Sequence, residues 1–241
     1  MKAILMAAGK GTRISRHIDG KPKCTVDLGD GTPLVNYTVE LLKKNRIDDI
    51  ILVLGYCGDI IKKIIGSKAR YVENPFFDIT NSIVSLWFAQ RFLKGDESYL
   101  IMNADVFLSQ EALNIVLAEK ESPVLFYDAT RNAEADYRFY CEDGILIKYG
   151  KDLSNAETSG EYIGCATIGK EFVPTFIHRM NELIATQHHG QWWEDVLYSM
   201  AAEIPLRVRD IRGAFWAEVD YVEDYLRIQD YYRSQNYRNL K

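Results

Sequence analysis

Lys2-Ala3-Ile4-Leu5-Met6-Ala7-Ala8-Gly9-Lys10-Gly11-Thr12-Arg13 opens the chain, and ten residues after Arg13 comes Lys23, directly behind Pro22. The run from Ala3 to Ala8 is short, apolar and ended by glycine, the pattern of a buried strand. Further apolar runs follow at 50–54 and 99–102, and Ala69 to Glu73 reads as a brief strand. Helical spacing separates them: one pattern opens at Pro33, a second covers Asp59 to Ile65, and a third covers Ile79 to Leu93. Pro at the first turn suits a helix start. Strand, helix, strand, helix, strand is the signature of a parallel sheet covered on both faces. Such sheets hold ligands beyond the carboxyl ends of their strands. Gly9 to Arg13, Gly55-Tyr56 and Asp105 all stand at such ends, so three distant segments converge on one crevice.

The second half changes character. Short strands are expected at 124–127, 136–141, 145–149 and 161–168, with turns such as Glu142-Asp143-Gly144. They read as an antiparallel extension rather than as further crossover units. Helices near 171–185 and 193–202, a strand at 206–211 and an amphipathic helix from about 222 to 232 complete the chain. The expected fold is α/β: a Rossmann-like three-layer sandwich with a mixed, mostly parallel central sheet and a small antiparallel extension on the acceptor side. No repeat or linker interrupts it. Residues 1–241 read as one domain of two halves, 1–120 and 121–241.

The composition fits a soluble globular protein: of 241 residues, 47% are hydrophobic and 26% charged, with a net charge of −5. That sign argues against nucleic acid or an anionic membrane as a bulk partner. The four cysteines, at 24, 57, 141 and 165, form no C-x-x-C pair and no zinc pattern, so they read as reduced thiols. The opening apolar run is too short for a signal peptide, and no stretch approaches the roughly 18 apolar residues of a membrane span. The expectation is a cytoplasmic protein. A homodimer is left open.

The glycine loop is neither a dinucleotide fingerprint, which needs a small residue where Ile14 stands, nor a Walker A loop. The plain reading is a strand-to-helix turn with solvated cations. The sharper one is an anion site: glycines let backbone N–H groups approach a phosphate, and Lys10, Arg13 and Lys23 bring positive charge to the same mouth.

Leu5-x-Ala7-Ala8-Gly9-x-Gly11-x-Arg13 with Pro22-Lys23 resembles the nucleoside-triphosphate transferase superfamily. The chain is most similar to its small bacterial cytidylyltransferases, which act on phosphocholine, 2-aminoethylphosphonate and related acceptors. Asn81-Ser82, Asn103-Ala104-Asp105, the segment from Ser159 to Gly164, Trp193-Glu194-Asp195 and Trp216-x-Glu218-Val219-Asp220 agree in order along the chain. The resemblance implies transfer of CMP from CTP to a small phosphorylated or phosphonate alcohol, with release of pyrophosphate and Mg²⁺ as cofactor. It implies Lys23 and Arg13 as catalytic cations, and a nucleotide site of Ala7, Ala8, Gly9, Lys10, Gly11, Thr12, Arg13, Lys23, Gly55, Tyr56, Asn81 and Ser82. Asp105 and Asp220 are the implied metal ligands, and the resemblance makes 1–120 mainly the nucleotide-binding half and 121–241 mainly the acceptor-binding half with the second metal ligand. A nucleophile that is already anionic needs no His or Cys to activate it, so positioning and charge neutralisation carry the reaction.

The acceptor residues expected are Asp136, Glu161, Tyr162, Trp193, Glu194, Trp216 and Glu218, with Trp192 a further candidate. Aromatic faces and carboxylates suit an amine-bearing acceptor. Plainer readings stand beside these: tryptophans as packing, Asn81 and Asp220 as helix caps, Asp105 as a turn residue. The alternatives of a sugar- or polyol-phosphate nucleotidyltransferase and of a non-catalytic nucleotide-binding module also stand.

Overall fold

A computed structural model describes residues 1–11 and 18–238. In chain order its elements are β1 (Lys2–Ala7), α1 (Leu34–Lys44), β2 (Ile50–Leu54), α2 (Gly58–Ile65), β3 (Arg70–Glu73) and α3 (Ser82–Phe88). Then come β4 (Tyr99–Asn103), β5 (Val106–Leu108), α4 (Gln110–Ala118), β6 (Val124–Asp128), β7 (Arg138–Glu142) and β8 (Ile145–Gly150). The chain ends with β9 (Gly160–Ile168), α5 (Val173–Ala185), α6 (Asp195–Tyr198), β10 (Arg207–Asp210), β11 (Trp216–Glu218) and α7 (Val222–Arg238).

Nine strands form one mixed sheet in the order β3-β2-β1-β4-β9-β6-β10-β8-β7, and β5 pairs with β11 in a separate ribbon. β1 runs parallel to β2 and β4, with Met6 opposite Val53 on one side and Asn103 on the other. Alternate residues of these strands serve opposite faces. Ile4, Met6, Ile51 and Val53 join a cluster with Leu86 of α3, Phe176 and Met180 of α5 and Leu197 of α6. Ala3, Leu5, Ile50 and Leu52 join the other, with Val39 of α1, Ile61 of α2 and Leu113 of α4. Each fully buried Leu, Ile or Phe contributes about 1.5–3 kcal/mol, so both faces are anchored. A third cluster, with Leu28, Phe107, Val219 and Ile228, seats α7 beside the ribbon.

Three expectations are corrected. β9 is not part of an outlying extension: it lies antiparallel between β4 and β6, in the middle of the sheet, and all nine of its residues are buried. β6 likewise belongs to the centre, and β10 runs parallel to it. Antiparallel ladders therefore penetrate the sheet: β7 and β8 make an antiparallel hairpin beside β10, and β7 pairs back onto β9 through Arg138 and Phe139. The helix expected over 79–93 is confined to α3, followed by a 3-10 turn at Gln90–Phe92. α4 was not anticipated, although the Ser109 hydroxyl caps it by accepting from the Ala112 amide at 3.1 Å.

No helix among the described residues is long and apolar enough to cross a membrane.

Candidate active site

The carboxyl ends of β1 and β4 are tied together where the Ala104 amide donates to Met6 O at 3.0 Å. Just beyond, the ribbon brings a distant segment in: Glu218 pairs with Val106, and the Val219 amide donates to Asp105 O at 3.0 Å. Asp105 and Asp220, 115 residues apart in the chain, are thereby placed side by side. Lys23 reaches between them from a short 3-10 turn, Lys23–Thr25, whose Cys24 is buried. Its Nζ donates to Asp220 Oδ1 and stands 3.6 Å from Asp105 Oδ2.

Burial disfavours the Lys23 cation, but Asp105 and Asp220 outweigh it, so the pKa is raised and the ammonium is held charged. The carboxylates are in excess over that single ammonium. Burial and then Asp220 raise Asp105, against the pull of Lys23. Burial, then Asp105 and Asp220, raise Glu218 well above the usual range. Among the described residues the cluster therefore holds more carboxyl groups than cations, and the atoms it offers a metal are oxygens. Among the described residues there is no group of three or more His, Cys, Asp or Glu with metal-binding geometry.

Two clefts meet at Lys23. The first, about 240 Å³, has the β1 end as its floor: Ala7, Ala8, Gly9 and Gly11 line it with Lys23 and Asp105. Asn81 and Ser82 form its far wall with Phe77. Asn81 also caps α3, its Oδ1 accepting from the Ser82 amide at 2.8 Å, so the cap reading and the lining position hold together. Gly55 and Tyr56 back this wall without lining it. A side chain at Gly55 would lie 2.7 Å from Ala8 O and from Phe77 Cβ. The Tyr56 amide donates to Ala8 O, and its hydroxyl donates to Gly20 O at 2.8 Å. Lys10 lies off the cleft, its Nζ 5.7 Å from the Phe77 ring centre. Thr12 and Arg13 lie outside the described residues.

The second cleft, about 460 Å³, shares Gly11, Lys23, Asn81, Ser82 and Glu218 with the first. It shares Trp192 too, and adds Asp220, Asp136, Tyr162 and Glu194 from the expected set, together with Tyr137, Tyr198 and Lys151. Lys151 Nζ pairs with Asp136 Oδ2 at 2.7 Å and stands 5.9 Å from the Trp192 ring centre.

Three expected acceptor residues are not on these walls. Trp193 is fully buried, its indole N–H donating to Asn103 Oδ1 at 3.0 Å and its amide to Ser82 Oγ at 2.9 Å. Trp216 is buried with its N–H given to Asp128 Oδ2 at 2.9 Å. A buried indole satisfied in this way is a packing element. Glu161 turns inward to the Arg131 Nε at 2.5 Å and accepts the Asp136 amide at 2.8 Å, so it fixes the loop that carries Asp136.

Tyr137, Tyr198 and Lys151 were not anticipated. Tyr198 had a readable signal: it lies four residues beyond Glu194, one helical turn, which puts both on the same face. Tyr137 and Lys151 come from a loop and a strand end with no such spacing.

Residues 3–142, more than half of the sequence, match the MobA-like NTP transferase domain. The chain belongs to this family. Choline-phosphate cytidylyltransferase of Streptococcus pneumoniae is 27% identical over 98% of this chain and 100% of its own length. 2-Aminoethylphosphonate cytidylyltransferase of Lancefieldella rimae is 25% identical over 92% of this chain and 89% of its own. The solved structure of the pneumococcal CTP:phosphocholine cytidylyltransferase has the same fold, with a TM-score of 0.78 at 21% identity over 95% of this chain and 97% of that one. Family membership makes the chain a nucleotidyltransferase, and the relatives it resembles over nearly their full length are cytidylyltransferases.

Proposed function

We propose that the chain transfers CMP from CTP to a small phosphorylated or phosphonate acceptor, with Mg²⁺ as cofactor and pyrophosphate as the leaving group. The observation that carries this reading is the position of Lys23, whose ammonium stands between Asp105 and Asp220 where the two clefts join. The first cleft takes the nucleotide and the second the acceptor.

Each residue then has a physical task. The amides around Gly9 and Gly11 face the triphosphate, where fixed dipoles favour an anion. Asn81 and Ser82 meet the base. Lys23 neutralises charge on the α-phosphate as the acceptor oxygen approaches, the type of fixed electrostatic stabilisation that costs no reorganisation. Arg13 grips the triphosphate as a bidentate donor. Asp105 and Asp220 fit a hard divalent cation: two carboxylates at one point suit Mg²⁺, which takes its other ligands from phosphate oxygens and water. That ion, when bound, would offset the repulsion between the nucleotide and acceptor phosphates.

Pyrophosphate release tests the reading. CTP, UTP, ATP, GTP and dTTP are each assayed with phosphocholine, 2-aminoethylphosphonate, phosphoethanolamine and glucose 1-phosphate in the presence of Mg²⁺. Turnover confined to CTP and one or more of the first three acceptors is expected. Turnover with glucose 1-phosphate alone would replace it with a sugar-phosphate transferase.

A further inference from the structure

The second cleft contains a carboxylate that the transfer chemistry leaves unused. Glu194, at the start of α6, is only 6% exposed, and among the described residues no lysine, arginine or histidine forms an ion pair with it. Two tyrosines line the same cleft, Tyr162 from β9 and Tyr198 one helical turn beyond Glu194; both hydroxyls are buried and neither makes a hydrogen bond of good geometry, although Tyr198 lies within reach of the Tyr137 hydroxyl and Tyr162 within reach of Glu194. Tyr137 completes the enclosure, stacking on Tyr198 with ring centres 6.0 Å apart and meeting Trp192 edge-on at 5.5 Å.

A buried carboxylate without a counter-ion and buried hydroxyls without partners are both costly. Aromatic walls make a cation welcome, and the carboxylate and hydroxyl oxygens call for N–H donors. A quaternary ammonium supplies the charge but no proton, and its methyl shell holds the carboxylate away while the hydroxyls stay unpaired. A primary ammonium supplies charge and three donors. Of the two described cations on the walls of this cleft, Lys151 is held by Asp136 and Lys23 by Asp105 and Asp220.

We propose that Glu194, Tyr162 and Tyr198 seat a primary ammonium on the acceptor, so that aminoalkyl phosphates or phosphonates with free N–H groups are used ahead of their quaternary counterparts. The proposal rests on the cytidylyltransferase reading and names the acceptor class within it.

The protonation of Glu194 agrees with this. Burial pushes its carboxyl up to about 8, with Asp195 adding to the rise; Tyr162 and Asn103 lie close enough to favour the charged form, although the Tyr162 hydroxyl makes no hydrogen bond of good geometry. The other groups facing it are Tyr198 and Tyr137, Cys165 of β9 and Glu218 of β11. None of these is a cation. At neutral pH Glu194 carries a proton, and an arriving ammonium displaces it.

The test is kcat/KM with CTP along one series: phosphoethanolamine, its N-methyl and N,N-dimethyl derivatives, and phosphocholine. A fall of about tenfold or more from first to last is expected, the size that follows from leaving buried polar groups unpaired. In Glu194→Gln the series should flatten to within about threefold, and the proton released on acceptor binding, read by calorimetry in buffers of different ionisation enthalpy, should vanish. Tyr198→Phe, which keeps the ring, should weaken the gradient about threefold. A flat or reversed wild-type gradient, or a gradient that survives Glu194→Gln in a protein with unchanged melting, overturns the seat while leaving the transferase intact. Absence of pyrophosphate with every acceptor removes the transferase reading and the seat with it.

Discussion

Gly11 and the stem of Lys23 occupy one space: a side-chain carbon at Gly11 would lie 3.0 Å from Lys23 Cδ and closer still to Cγ. Gly11 also has φ +59°, in the left-handed region that a Cβ disfavours. Gly11→Ala must therefore move Lys23 away from Asp105 and Asp220. We expect kcat to fall about 10–100-fold, the range seen when a catalytic group is displaced by a short distance, while the melting transition shifts by no more than a few degrees. Steady-state kinetics and calorimetry on the purified variant check both.

Lys23→Ala removes the only described cation that pairs with Asp105 or Asp220. Turnover should drop about 10²–10³-fold or more. With that ammonium gone, Asp105 and Asp220 should bind Mn²⁺, used as a probe in the absence of nucleotide, more tightly than wild type, and Asp220→Asn should bind it more weakly. Equal Mn²⁺ affinity in all three proteins would remove both aspartates from the metal site. A chelator should abolish wild-type turnover, and added Mg²⁺ should restore it.

Glu194 makes folding stability depend on pH. Its folded pKa, about 8, is raised above the ordinary 4.5, so between these values the folded protein holds a proton that the unfolded chain has lost. Stability falls as pH rises through this window and levels off above it, with up to about 5 kcal/mol at stake. Glu194→Gln should lose most of this slope and be the more stable protein at pH 9. Denaturant melts at pH 5, 7 and 9 decide it, and parallel curves for the two proteins would contradict it.

Trp216 is a packing residue, so Trp216→Phe should act on stability. It deprives the buried Asp128 of one hydrogen bond and should cost about 1–3 kcal/mol. The KM for the acceptor should stay within about twofold. A large rise in acceptor KM with unchanged stability would return Trp216 to the acceptor site.

The parallel part of the sheet was legible because β1, β2 and β4 are short apolar runs, each ended by a turn and separated by helical spacing. β9 was equally legible as a strand. Its place was not, because the order of strands is set by contacts far apart in sequence, such as Leu100 with Thr167 and Val124 with the same residue. At the candidate site, Lys23, Asp105 and Asp220 were singled out through motifs, while their contact depends on the β5–β11 ribbon, which no local pattern announced. The two buried tryptophans stood open between packing and the acceptor, because an indole gives no sign in sequence of whether its N–H meets a ligand or, as here, Asn103 and Asp128.

The family match ends at residue 142, yet the strand that fills the middle of the sheet begins at Gly160. A cut at the end of the match would leave β4 and β6 without the neighbour they share, exposing two raw hydrogen-bonding margins on apolar strands. Such margins recruit other chains. The recognisable part of this protein, a little over half of it, is therefore not a piece that can be lifted out: expressed without its final hundred or so residues, it should collect in inclusion bodies instead of folding.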